Sequence, residues 1–243
     1  MRIVISGAHN TGKTTLIKEF LQLWPQYKTP EKTYRDYLSE NRLEHSSKTT
    51  TETQAGILRF MIEQFDATKK GDKIIFDRGP LDNLAYTMWA NAANIEGFTD
   101  EFVQWSIKIT KELLRKIDIV FLVRYDKAYG LTDDGLRDVT PGYVEDIDLI
   151  FNAFKNQYEQ NFDADIFFPA NDSPALIELP NSLQGRLQGI RDYIGNDGEL
   201  IGGEGESILD PKNITALEAL VNQQILAQKQ EKKEAELFKK FKV

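Results

Sequence analysis

Short apolar runs alternate with longer amphipathic stretches along most of the chain. Residues Arg2–Ser6 and 117–123 are rich in consecutive aliphatic side chains, a pattern typical of strands that are buried on both faces. Shorter strands are predicted at residues 28–33, 73–77 and 175–179. Between the strands, apolar residues recur every three or four positions, which predicts helices at 14–24, 54–68, 81–91, 100–116, 143–162 and 183–194. We therefore expect an α/β fold in which helices cover both faces of a five-stranded parallel sheet.

The chain changes character near its end. Glycines and acids dominate residues 196–210, which predicts a linker. Asp210 and Pro211 are typical of the first residues of a helix, and an apolar stripe follows them. We therefore expect a main domain over residues 1–195, a linker over 196–210 and a helical extension over 211–243.

Two segments within the main domain lack helical or strand periodicity. Residues 39–53 are mostly polar, which predicts a loop, and residues 124–142 are rich in Asp, Gly and Arg, which predicts a surface lid. Within the lid, Arg137 of the sequence DDGLRD is the first candidate for an arginine that closes over a bound phosphate group, and Arg124 is the second. The alternative for both arginines is an ion pair with nearby surface aspartates.

The composition excludes several kinds of chemistry. The chain has no cysteine and two histidines, so disulfides, thiolate nucleophiles and Cys/His zinc sites are excluded, and a metal ion would need oxygen ligands. The formal net charge of -8 argues against unspecific binding of nucleic acid. No apolar stretch is long enough to span a bilayer, and the N-terminal residues do not have the pattern of a signal peptide. We therefore expect a cytoplasmic protein without membrane contact.

The motif GAHNTGKT lies between the first predicted strand and the first predicted helix. It satisfies the P-loop pattern G-x-x-x-x-G-K-[ST], in which main-chain N–H groups and the helix N-terminus surround phosphate oxygens. Lys13 is expected to reach the β- and γ-phosphates, and the Thr14 hydroxyl is expected to bind Mg²⁺. The sequence thus predicts a P-loop NTPase fold, with ATP bound by Gly7, Ala8, His9, Asn10, Thr11, Gly12, Lys13, Thr14 and Thr15.

A second group of polar residues follows the strand predicted at 73–77, in the sequence FDRGPLDNLAY. Asp77 ends that strand, where a carboxylate can hold Mg²⁺ or orient an acceptor, and Arg78 beside it can neutralise an anionic oxygen. Asp82 could contact an acceptor, or it could favour the start of the next helix through the helix dipole. Asp77, Arg78 and Asp82 are therefore candidate site residues.

Several of these motifs occur in the order seen in a known family. The P-loop, PEKTYRDYL, FDRGPLDNLAY, DDGLRD and NSLQGRLQGIRDYI resemble the nicotinamide-riboside kinase domain of bacterial NAD-regulator proteins and, more widely, the P-loop nucleoside and nucleotide kinases. The resemblance implies a Glu-x-x-x-Arg pair, which Glu31 and Arg35 match, and it implies that residues 182–186 lie near the adenine. The chain departs from the riboside kinases at Asp77-Arg78, where they more often have Asp followed by Thr. This departure favours the nucleotide kinases.

The resemblance implies an ATP- and Mg²⁺-dependent kinase whose acceptor is a nucleoside or a nucleotide. For a hydroxyl acceptor, Glu31 or Asp77 could act as a general base, because both follow strands that should end at the same edge of the sheet. For a monophosphate acceptor no base is required, and Arg35 and Arg78 would bind its phosphate. The residues alone do not decide between these two cases.

Two alternatives stay open at this point. Similar P-loop kinases phosphorylate 5-hydroxymethyluracil in viral DNA, and the lysines from Lys229 onward support binding of nucleic acid only weakly, because a solvated helix face has the same pattern. The chain could instead be a P-loop ATPase that regulates a protein partner through its C-terminal helix. Against the ATPase, no Asp-Glu pair or water-positioning Gln follows the strand at 73–77. The sequence also leaves formation of a homo-oligomer open.

Overall fold

We describe a computed structural model of the chain over residues 1–43, 46–129, 142–160 and 164–201. The chain divides into two compact units. The first consists of Met1–Asp192 together with Asn196–Gly198, and the second consists of Tyr193–Gly195 and the residues from Glu199 onward. The described part of the second unit contains one antiparallel bridge, between Ile194 and Leu200. Most of the predicted linker and the whole predicted C-terminal helix lie outside the described residues, so both remain predictions.

A parallel sheet forms the centre of the first unit. Its strands are β1 (Arg2–Ser6), β2 (Ile74–Asp77), β3 (Ile119–Val123) and β4 (Ala175–Leu179), in the spatial order β2-β1-β3-β4. All neighbouring strands are parallel, with Ile5 paired to Asp77 on one side and to Phe121 on the other. The predicted α/β class and parallel sheet are confirmed.

The prediction of a fifth strand at residues 28–33 was wrong in extent. The structure has a single parallel bridge there, between Lys28 and Ile74. The Lys28 N–H donates to the Lys73 carbonyl, and the Ile75 N–H donates to the Lys28 carbonyl. The next N–H on this side would come from residue 30, which is a proline and has no N–H. The ladder therefore ends after one residue, and the described sheet has four strands.

Seven α-helices accompany the strands in the described ranges. They are α1 (Lys13–Leu23), α2 (Tyr34–Asn41), α3 (Thr51–Asp66), α4 (Pro80–Ala92), α5 (Asp100–Leu114), α6 (Tyr143–Gln160) and α7 (Leu183–Arg191). Six of them correspond to predicted helices. Within these ranges we find no helix with the length and apolar character needed to cross a bilayer.

The prediction of a loop over residues 39–53 was wrong at both ends, because α2 extends to Asn41 and α3 begins at Thr51. Thr33 caps α2 through a capping box, in which its hydroxyl accepts from the Asp36 N–H and Asp36 accepts from the Thr33 N–H. Thr50 caps α3 by accepting from the Thr53 N–H. These caps stabilise helix ends in a segment that is too polar to show an apolar stripe. Helix α2 packs against α3, and α3 packs against α4, the helix that follows β2.

The two faces of the sheet are covered by different helices. Val4 and Val120 face a buried apolar cluster that also contains residues of α3, α4, α5 and α6. Side chains alternate along a strand, so the buried Ile3 and Ile5 lie on the opposite face, where α1 and α7 pack. All four strands run in one direction, so their carboxyl ends share one edge of the sheet, and a ligand site is expected there.

Candidate active site

The phosphate motif forms a tight loop between β1 and α1. Gly7 has a φ of 143°, and a Cβ at this position would lie 2.1 Å from the Val123 carbonyl oxygen, so no other residue fits. Gly12 is the N-cap of α1 with a φ of 79°. Asn10 has a φ of 62°, which Asn adopts more readily than most residues. The loop thus curves around the N-terminus of α1, where backbone N–H groups favour an anion.

Lys13 is buried inside this loop. Its Nζ donates to the Gly7 carbonyl at 2.8 Å, to the Ala8 carbonyl at 2.5 Å and to Thr11 Oγ1 at 3.2 Å. Burial lowers the pKa of Lys13 well below its ordinary value, and the nearby Arg78 cation adds to the effect. A bound phosphate would act in the opposite direction, because an anion stabilises the ammonium form. The electrostatics of the loop therefore favour an anionic ligand.

Thr14 and Asp77 lie side by side, as expected of two residues that share a metal ion. The Thr14 hydroxyl donates to Asp77 Oδ2 at 2.8 Å. A hydroxyl and a carboxylate are the oxygen ligands that Mg²⁺ takes from proteins, and its remaining ligands are usually water and phosphate oxygens. Within the described ranges there is no cluster of three His, Asp or Glu side chains that could hold a metal without such help. The donor set at Thr14 and Asp77 fits Mg²⁺ bound together with a phosphate group.

Asp82 connects the phosphate loop to the start of α4. Its carboxylate accepts from the Gly7 N–H at 3.2 Å, from the Gly79 N–H at 3.0 Å and from Arg78 Nη1 at 3.0 Å. The residue is 1% exposed, so the pair that it forms with Arg78 is a buried ion pair. Asp82 therefore positions the loop, rather than offering a free carboxylate to a ligand.

Arg78 is held in an unusual backbone conformation by its surroundings. Its φ is 78°, a value that costs a non-glycine residue about 1 kcal/mol or more. Its guanidinium carbon lies 5.0 Å from the centre of the Tyr34 ring and 5.4 Å from that of the Tyr86 ring. Besides Asp82, Nη1 also donates to the Gly7 carbonyl and to the Tyr86 hydroxyl. The strained conformation brings the guanidinium beneath the phosphate loop.

Two cavities adjoin the loop. One, the loop cavity, has a volume of about 320 Å³ and is lined by loop residues 10–15, Asp77 and Arg124. The other, the adjacent cavity, has a volume of about 430 Å³. Its lining combines apolar side chains with a few polar ones, among them Leu38, Ile57, Met61, Gln54, Asn83 and Tyr86. Arg35 and Arg78 line both cavities, so the two spaces meet at these arginines.

The structure distributes the predicted loop residues between the two cavities. Lys13, Thr14 and Thr15 line the loop cavity together with Asn10, Thr11 and Gly12. Ala8 is fully buried in the apolar cluster. His9, by contrast, lines the adjacent cavity, and its Nδ1 lies 3.3 Å from the Tyr86 hydroxyl. The phosphate loop therefore contributes a side chain to each of the two spaces.

The remaining predicted residues differ in how close they come to the site. Glu31 is exposed and lines neither cavity, whereas Arg35 is half-buried and donates from Nε to the Tyr34 hydroxyl.

Arg124, one of the two candidate lid arginines, lines the loop cavity. Asp148 accepts hydrogen bonds from its Nε and Nη2. Asn152 and Glu178 accept from its Nη1. The ion-pair alternative for Arg124 is therefore present. Arg137 lies outside the described residues.

Arg186 belongs to the segment 182–186 that the resemblance places near the adenine, and in the structure it lines the loop cavity. Arg186 Nη1 donates to the Thr11 carbonyl at 2.6 Å, and its Nε donates to the Pro180 carbonyl at 3.1 Å. The residue is buried, although a helix-start arginine would normally be exposed. The sequence analysis did not identify Gln54 and Asn83, whose side chains are hydrogen-bonded to each other in the adjacent cavity. The apolar residues on either side of them gave no sign of a ligand site.

The chain resembles a protein family in sequence and several kinases in structure. A family model described as an AAA domain matches residues 2–162. The chain is similar to deoxyadenosine kinase from M. mycoides with dCMP and dCDP bound, with a TM-score of 0.55 and 17% identity over 79% of this chain and 97% of that one. It is also similar to the NadR protein in complex with NR, with a TM-score of 0.54 and 15% identity over 79% of this chain and 51% of that one. No match was found among curated proteins.

These similarities concern the fold. The P-loop fold and the resemblance to NadR and to nucleoside and nucleotide kinases are confirmed at that level. The chain spans about half the length of the NadR chain that it matches.

Proposed function

The chain belongs to the family that the AAA-domain model describes, and we propose that it is an ATP- and Mg²⁺-dependent kinase that transfers the γ-phosphoryl group to a nucleoside, a nucleotide or a related acceptor. One observation carries this proposal. A phosphate-binding loop cavity meets a larger, partly apolar cavity at two shared arginines, Arg35 and Arg78. Phosphoryl transfer requires this juxtaposition, because donor and acceptor must approach each other directly.

The loop cavity is the expected site of ATP. The backbone N–H groups of the loop would bind the β- and γ-phosphates, and Lys13 would exchange its bonds to loop carbonyls for bonds to phosphate oxygens. Thr14 and Asp77 would hold Mg²⁺, which neutralises charge on the phosphate oxygens when it is bound.

The adjacent cavity is the expected site of the acceptor. Its volume lies within the range of small-molecule sites, and apolar walls with a few amide groups suit a nucleobase. A regulatory ATPase would need only the loop cavity, because its acceptor is water. The second cavity at the phosphate end therefore favours a kinase over that alternative.

The proposal is tested by incubating the full chain with ATP, Mg²⁺ and a panel of nucleosides, nucleoside monophosphates and 5-hydroxymethyluracil DNA. We expect mass spectrometry to find a phosphorylated acceptor and one ADP for each product. Lys13→Ala should abolish the product while circular dichroism shows a folded protein. Formation of ADP at a rate that no acceptor changes would instead indicate the ATPase.

A further inference from the structure

The two carboxylates that line the adjacent cavity, those of Asp36 and Asp82, already accept hydrogen bonds. Asp82 is buried and accepts three hydrogen bonds, including the one from Arg78. Asp36 accepts from both the N–H and the hydroxyl of Thr33, and these two bonds, the N–H first, lower the pKa of its carboxyl group. A carboxylate with a lowered pKa is a weaker base. Neither residue is suited to remove a proton from an acceptor hydroxyl.

The other two candidate bases lie outside the adjacent cavity. Asp77 lines only the loop cavity, where it accepts from the Thr14 hydroxyl. Glu31 is exposed and lines neither space. A hydroxyl acceptor in the adjacent cavity would therefore meet no free carboxylate among the described residues that line it.

Two arginines of the same cavity, by contrast, have few hydrogen-bond partners among the described residues. Arg35 lines both cavities and uses only Nε, for a bond to the Tyr34 hydroxyl. Arg42 lines the adjacent cavity alone, and its guanidinium has no hydrogen-bond or ion-pair partner among the described residues. The terminal nitrogens of Arg35 likewise have none in that part of the chain. Two guanidinium groups are thus available to a ligand in the adjacent cavity, whereas the carboxylates of that cavity already accept hydrogen bonds.

From this asymmetry we infer that the acceptor is a nucleoside 5′-monophosphate, whose phosphate binds Arg35 and Arg42 and whose base occupies the apolar part of the adjacent cavity. The inference rests on the proposed kinase function and narrows its acceptor. Arginine binds phosphate through charge-assisted, bidentate hydrogen bonds. Arg35, at the junction of the cavities, holds that phosphate next to the γ-phosphate of ATP.

The reaction then needs no base. An ionised oxygen of the acceptor phosphate forms a bond to the γ-phosphorus, and the bond from that phosphorus to the β–γ bridging oxygen breaks. The electron pair of the broken bond leaves with ADP, and the second product is a nucleoside diphosphate. No proton has to be removed, because a phosphate monoester with a second pKa of about 6 is already ionised at pH 7.

The test compares each nucleoside with its own 5′-monophosphate, using the full chain, ATP and Mg²⁺. We expect kcat/KM to be higher for the monophosphates by about 10²-fold or more, because a site built for a polar group strongly rejects an analogue that lacks it. Equal or better use of nucleosides, or of 5-hydroxymethyluracil DNA, would overturn the inference and leave the kinase intact. If no acceptor is phosphorylated, the proposed kinase function fails, and the inference fails with it.

Matched variants test the two arginines. Arg35→Met and Arg42→Met should each lower kcat/KM for the monophosphate about 10- to 100-fold, as expected for loss of hydrogen bonds to a charged group. Arg59→Met is the control, because Arg59 is an exposed residue of α3 that lines neither cavity. Thermal melting checks the fold, and Arg35→Lys replaces Arg35→Met if the latter is unstable. Values for both variants within about twofold of the control would contradict the assigned role.

Discussion

The hydroxyl of Thr14 donates a 2.8 Å hydrogen bond to the carboxylate of Asp77, which joins the first turn of α1 to the carboxyl end of β2. The two side chains come together because β1 and β2 are neighbours in the sheet, with Ile5 paired to Asp77. Each residue alone is a common feature of α/β proteins. Together they form an oxygen donor set beside a phosphate loop.

Removing either oxygen should weaken the use of Mg·ATP. We expect Thr14→Ala and Asp77→Asn to raise the KM for Mg·ATP about 10- to 100-fold, in line with the loss of an interaction with a charged group. Thr14→Ser keeps the hydroxyl and should stay close to the unaltered protein. Initial rates measured against Mg²⁺ at fixed ATP check this, and equal effects of Ala and Ser at position 14 would contradict it.

Loss of the Asp82 carboxylate should destabilise the protein. Its removal leaves the Arg78 guanidinium buried without its anion, a change that typically costs about 3–5 kcal/mol. We therefore expect Asp82→Ala to lower the free energy of unfolding in urea by roughly that amount. Asp66→Ala is the control, because Asp66 forms an exposed ion pair with Lys116, and such pairs contribute about 1 kcal/mol or less. Similar losses for both variants would argue against a special role of Asp82.

Residues of the site that are contiguous in sequence were predictable, and those that converge from distant segments were not. The loop from Gly7 to Thr15 was identified because its geometry depends on glycines at fixed spacing. Glu31 was expected beside Asp77 on the assumption that a full strand precedes it. Pro30 ends that pairing after Lys28, and Glu31 is exposed. The motif alone identifies the loop, whereas the position of Glu31 depends on where the pairing of residue 28 with β2 ends.

The elements of the fold likewise differ in whether they could be predicted from residues that are contiguous in sequence. The buried strands were recognised from their own apolar residues, whereas α2 depends on a polar capping box at Thr33 that gives no apolar stripe. The contact between Arg186 and the Thr11 carbonyl joins residues that are 175 positions apart. Such a contact follows from how α7 packs on α1, which periodicity alone does not specify.

Arg186 should support the loop that binds ATP. Its bond to the Thr11 carbonyl holds the loop from the side of α7, so we expect Arg186→Met to raise the KM for ATP about 10-fold and to leave the KM for the acceptor unchanged. Arg191→Met, at an exposed position of the same helix, is the matched control. Steady-state kinetics with each substrate varied in turn distinguish this outcome from a general loss of stability, which would lower the active fraction without moving either KM.

His9 and Asn10 should affect different substrates although they are adjacent in sequence. His9 lines the adjacent cavity beside Tyr86, and Asn10 lines the loop cavity. We expect His9→Ala to raise the KM for the acceptor about 2- to 10-fold, the range of a single neutral hydrogen bond, without changing the KM for ATP. His9→Asn, whose amide can replace Nδ1 next to the Tyr86 hydroxyl, should restore part of the loss.

The complementary variant is Asn10→Gly, because glycine adopts the positive φ of this position without strain. We expect it to raise the KM for ATP and to spare the acceptor. Both constants are measured on the same preparations by varying one substrate at saturating concentrations of the other. If His9→Ala changed the KM for ATP instead, the phosphate loop would serve a single cavity, and the assignment of the adjacent cavity to the acceptor would lose its support from this loop.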